Sequence, residues 1–168
     1  MEYISGEDQK ALDHRYQVTM LVVMVFGISV LAYLLIAKFI KPGEASPGSE
    51  RWMQPVYSAA IVIGLSVVVI RRIVLSKLVM GPAAKRGVSA VLNTLQAMTI
   101  ICAALAEVAA IAGLTLYLLT GDYQYSWRLG LISLFLLVYC FPRRGEWRRA
   151  VAESAKIHSG VPQAAKTI

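Results

Sequence analysis

Charge is scarce in this chain of 168 residues: Asp, Glu, Lys and Arg make up 16%, against about 25% in a soluble globular protein. Hydrophobic residues reach 57%, and the mean hydropathy is +0.60. A water-soluble domain of this length would need an apolar core larger than its surface could hide, which argues against a cytosolic enzyme, and the same composition excludes a disordered chain. Histidine is rarer still. His14 and His158 both lie outside the apolar runs, so no pair of imidazoles can hold a haem between helices. Cys102 and Cys140 fall inside apolar runs and read as small hydrophobes, not as a disulfide framework or metal ligands. No Ser/His/Asp set, metal cluster or phosphate-cradling glycine loop falls at a plausible site, and GPAAKRG at 81–87 lacks the spacing of a P-loop. The expectation is a noncatalytic protein with no metal and no cofactor.

What the sequence does contain is long apolar runs. Val18 to Ala37 gives 20 residues without a charge, which at ~1.5 Å per residue matches the ~30 Å hydrocarbon layer. The residues before it carry four acids and two bases, unlike the basic start of a signal peptide, so this run reads as a retained first span. Pro, Gly and Ser gather between Lys41 and Trp52 and break the helix. A second span begins near Gln54 or Pro55 and runs uncharged to Ile70, with Arg71 and Arg72 in its last turn and a continuation to Gly81-Pro82 allowed. Val91 to Thr120 is a third span of 30 residues, interrupted only by Glu107. The fourth is short: Leu129 to Pro142 gives 14 uncharged residues and must recruit Tyr123 to Trp127 to cross.

The formal charge of +7 tests this arrangement, because Lys and Arg are retained on the cytoplasmic side. With four spans, 13 of the Lys and Arg residues fall on one side and 4 on the other, which places both termini in the cytoplasm. Trp52, Tyr57, Tyr123, Tyr125 and Trp127 then form an outer aromatic belt. The stretch PRRGEWRRAV at 142–151 carries no nucleic-acid motif, so its arginines read as orientation and attraction to anionic headgroups. The predicted fold is all-α: an integral membrane four-helix bundle over 18–142, a cytoplasmic segment at 1–17 and a basic cytoplasmic tail at 143–168.

Glu107 sits near the middle of the third span, where a charge facing lipid costs at least ~2.5–3.5 kcal/mol. It is therefore expected to face protein or water, or to carry a proton. At ~100° per residue, Asn93 and Gln96 lie within about 40° of its face. Ala103, Ala104, Ala110 and Gly113 leave that helix thin enough for another to approach closely. Glu107, Gln96 and Asn93 are thus candidates for an ion-binding site or an interhelical polar contact, with Ser58, Ser66 or a backbone carbonyl as partner. The four small residues are candidate packing positions. Expected partners are the lipid bilayer and either a second copy of the chain or other subunits of a membrane complex, with no nucleic acid.

The stretch ALAEVAAIAGLTLYLL, with Ala106-Glu107-Val108 ahead of Gly113-Leu114, resembles the carboxylate-bearing helix of the proteolipid, subunit c, of rotary ATPases. That resemblance implies a proton or cation bound at Glu107, close packing at Gly113 and assembly into a ring. The glycine-repeat helix of that family has no counterpart here, since the second span offers only Gly64 with Ala59 and Ala60. The overall layout is similar to small four-span bacterial membrane proteins with a single acid in the third helix, which implies a multi-pass fold in a bacterial inner membrane and no particular activity.

Overall fold

The computed structural model describes residues 6–41, 50–74 and 82–158. Among the described residues the regular structure is entirely helical: α1 (Gly6–Phe39), α2 (Glu50–Val74), α3 (Val88–Thr120), α4 (Tyr123–Cys140) and α5 (Arg144–His158). The four apolar runs become α1 to α4. Helix α2 starts at Glu50, earlier than the expected Gln54 or Pro55, so Pro55 falls in its second turn, where the helix forgoes one i→i−4 hydrogen bond. The continuation of the second span beyond Val74 to Gly81 lies outside the described residues.

Helices α1, α2 and α3 are each long and apolar enough to cross a membrane. The helix pair Tyr123–Cys140 and Arg144–Ala155, bent by 40°, passes the same test only when taken together. This is the build of a multi-pass membrane protein with three or four crossings. Large apolar side chains line the outside of the bundle, Leu21 and Ile28 on α1, Val62 and Leu65 on α2, Phe135 and Val138 on α4, all more than 60% exposed. A patch of that extent is stable only against lipid or another apolar surface.

Helix α3 is the centre of the molecule and packs against α1, α2, α4 and α5, while α1 and α2 do not meet among the described residues. The α3–α4 hairpin is the tightest unit, and its turn explains itself from the sequence. Gly121 adopts φ 76°, the left-handed conformation that glycine enters freely, and its N–H donates to the Tyr117 carbonyl at 2.8 Å. Asp122 follows at once as the N-cap of α4, its carboxylate accepting from the Gln124 N–H at 2.9 Å. Two residues therefore end one helix and start the next.

Both cytoplasmic segments expected from the sequence are helical where they are described. Residues 6–17 continue α1 without a break, so at 34 residues the helix is roughly 50 Å long and overshoots the hydrocarbon layer. Residues 144–158 form α5, which lays Trp147, Val151, Ala152 and Ser154 inward and leaves Arg148 and Arg149 exposed. Trp147 meets Tyr16 of α1 edge to face with ring centroids 6.0 Å apart, inside a cluster with Leu12, Val91 and Leu95. Arg144 pairs with Asp13 at 2.6 Å across the same junction. Residues 159–168 lie outside the described residues.

Candidate functional site

The site around Glu107 is built by α1 and α3. These helices run parallel, because contacts between them advance in step along both: Arg15 to Asn93, Tyr33 to Glu107, and the Tyr117 hydroxyl to the Ile40 carbonyl at 2.6 Å. The Tyr33 hydroxyl donates to Glu107 Oε1 at 2.9 Å. Glu107 is half-buried, with its neighbours Ala103, Ala106 and Ala110 fully inside. The carboxylate thus meets a hydroxyl donor at the edge of a helix interface, and no ion pair to it occurs among the described residues.

The partner differs from those expected. The Ser66 hydroxyl turns back to the Val62 carbonyl of its own helix at 2.8 Å, as hydroxyls in apolar helices commonly do. Tyr33 fills the role from α1, whereas both expected serines lie on α2. Asn93 shares the face of Glu107 but does not join it: 14 residues separate them, about 21 Å along the axis, and Asn93 accepts from Arg15 at the other end of the bundle. Gln96 lies between them, half-buried, one turn from Asn93. The three polar residues form a line along α3, with one cross-helix contact at each end.

The small residues of α3 are consumed inside the chain. Ala103, Ala110 and Gly113 are buried, and Ala104 is partly covered. Gly113 receives α4 at Leu129 and Tyr125. Seven residues earlier on α3, Ser133 of α4 donates its hydroxyl to the Ala106 carbonyl at 2.6 Å, fully buried. Gly130, on the other face of α4, receives Leu34 of α1. These contacts lock the hairpin and seat α1 upon it.

A second polar site, which the sequence reading does not assemble, lies where α2, α3, α4 and α5 converge. A cavity of about 40 Å³ is lined by Arg71, Cys102, Cys140, Glu146 and Trp147, with Leu95, Met98, Thr99 and Pro142. Arg71 pairs with Glu146 Oε2 at 3.4 Å and stacks over the Tyr139 ring at 4.8 Å. Glu146 is also held by Arg143 at 3.6 Å. Arg71 Nη1 is buried and has no hydrogen-bond partner among the described residues. Cys102 and Cys140 come from different helices, yet their thiols lie within hydrogen-bonding reach of one another and both feel the Arg71 charge. From sequence the two cysteines are 38 positions apart in separate apolar runs, and only the packing of α3 on α4 brings them together.

No protein-family model matches the chain, and neither does any curated protein or solved structure. No group of three or more His, Cys, Asp or Glu side chains arranged to hold a metal occurs among the described residues.

Proposed function

We propose that the protein is a noncatalytic integral membrane subunit or scaffold, a four-helix bundle with both termini in the cytoplasm, seated in a bacterial inner membrane. Its own helices associate through the small-residue face of α3 around Glu107, and its outer apolar face meets lipid and either a second copy or another membrane subunit. The observation that supports this reading is the Tyr33–Glu107 hydrogen bond at 2.9 Å. It gives a costly intramembrane acid a structural use, joining α1 to α3.

Two substitutions test it. Glu107→Gln keeps an acceptor for Tyr33 and should leave assembly in mild detergent near normal, whereas Glu107→Leu removes the acceptor and should loosen α1 and lower the yield of assembled protein. Equal behaviour of the two variants would remove the structural role. A protease-cleavable tag at each terminus, tested in inverted and right-side-out vesicles, checks the orientation.

A second reading is favoured by the partial exposure of Glu107: a proteolipid-like protein in which Glu107 binds a proton or cation. It predicts proton flux in liposomes that Glu107→Gln abolishes while assembly survives.

A further inference from the structure

We propose that Cys102 and Cys140 form a redox-active dithiol that reduces a small hydroperoxide and closes to a disulfide between α3 and α4. Three observations converge on it. The thiols of two different helices lie within reach of each other. Both open onto the same cavity of about 40 Å³, and a cavity needs about 10–15 Å³ by this measure to hold one water. A hydroperoxide group therefore fits, and a bulky disulfide such as oxidised glutathione does not. The third observation is Arg71. Its guanidinium lines the cavity, and its buried Nη1 has no partner among the described residues.

A cation lining the cavity stabilises the negative charge that develops there when a thiol attacks an oxidant. The same cation opposes an incoming metal ion, so the pair is better placed for oxidation than for coordination. Glu146 takes part of the Arg71 charge, but it does so at 3.4 Å through the Nη2 side and is shared with Arg143. Nη1 is left without a partner among the described residues and is available to an anion that arises in the cavity.

The chemistry balances without a further co-reactant. One thiolate sulfur attacks the terminal oxygen of the hydroperoxide; the O–O bond breaks, a sulfenic acid forms, and the departing alkoxide or hydroxide, stabilised by Nη1, takes up a proton. The second sulfur then attacks the sulfenic sulfur. The S–S bond forms, the S–O bond breaks, and hydroxide leaves as water with the proton of the second thiol. Two thiols and one hydroperoxide give a disulfide, an alcohol and water. When hydrogen peroxide is the oxidant, the alcohol is a second water.

The test uses the full chain in detergent with hydrogen peroxide as probe, followed by intact mass and maleimide labelling. Wild type is expected to lose two hydrogen masses and both labelling sites together, with oxidised glutathione giving no adduct. Cys102→Ser and Cys140→Ser should each stop at a sulfenic acid, one oxygen heavier and trapped by a dimedone probe. Arg71→Gln should slow the reaction by about tenfold or more, and Arg71→Lys, which keeps the charge, should slow it less. Independent oxidation of the two cysteines to oxygenated products in wild type overturns the proposal, as does glutathione adduct formation. The wild-type measurement stands whether or not the Arg71 variants fold.

Discussion

Gly113 on α3 and Leu129 on α4 approach so closely that a Cβ built on the glycine would stand 2.8 Å from the leucine Cβ. A leucine Cβ is fixed to its backbone and cannot swing away, so relief requires the helices to part. Gly130 makes a nominally closer approach, 2.6 Å, but to Leu34 Cδ2, the far end of a side chain that can rotate. Gly113→Ala is therefore expected to lower stability against detergent unfolding by about 1–3 kcal/mol, and Gly130→Ala by less. Reversal of that order in thermal melts would show that Leu34 is held more rigidly than the α3–α4 seam.

Tyr33→Phe removes the hydroxyl donor to Glu107 while keeping the ring. Interhelical hydrogen bonds in membrane proteins contribute about 0.6 kcal/mol on average and up to ~1.7, so Tyr33→Phe should cost an amount in that range. In a double-mutant cycle with Glu107→Leu, the second change should cost little once the first is made. Fully additive losses would mean that the two side chains do not interact in the bilayer.

Trp147 is 2% exposed and wedged between α1 and α3 outside the long apolar runs. Trp147→Ala should cost about 3–5 kcal/mol locally, as for other buried aromatic truncations, and release α5. Limited proteolysis after the arginines of 144–149 is the direct readout: rapid cleavage in the variant and protection in wild type. Arg144→Ala, which breaks only the exposed pair with Asp13, should change protection by no more than a surface ion pair allows, about 0–1 kcal/mol.

Asp122 caps α4 through its bond to the Gln124 N–H, and Asp122→Ala should cost ~1 kcal/mol while Asp122→Asn or Asp122→Ser costs little. Equal losses for all three would assign the effect to charge rather than to capping. The measurement is thermal stability in detergent with helix content followed by circular dichroism.

Most of the helix pattern was legible in hydropathy alone. The uncharged run from Val18 to Ala37 lies within α1, Val91 to Thr120 differs from α3 by three residues, and recruiting Tyr123 to Trp127 for the short fourth run matches the observed Tyr123–Cys140. Glu107 stood out because a charge in lipid is expensive wherever the helix turns. Its partner did not, since the rotation of α1 against α3 is set by packing, and the phenol of Tyr33 carries no charge to mark it. Residues 6–17 and 144–158 were read through their charges. The Trp147, Val151, Ser154 spacing of four and three residues was the available sign of an apolar stripe on α5, outweighed there by the arginines around it. The Cys102–Cys140 pair left no local signal at all, because two lone cysteines in separate helices become neighbours only when the hairpin register is known.

The junction of α5 with the beginning of α1 ties late synthesis to early synthesis. During translation the Leu12 turn of the first helix emerges long before Trp147 and Val151 exist to cover it, and the Asp13 carboxylate waits equally long for Arg144. A chain halted after the α3–α4 hairpin would already carry every apolar run yet leave Leu12, Val91 and Leu95 without the cover of Trp147 and Val151. The oldest and youngest of the described helices thus close one seam together.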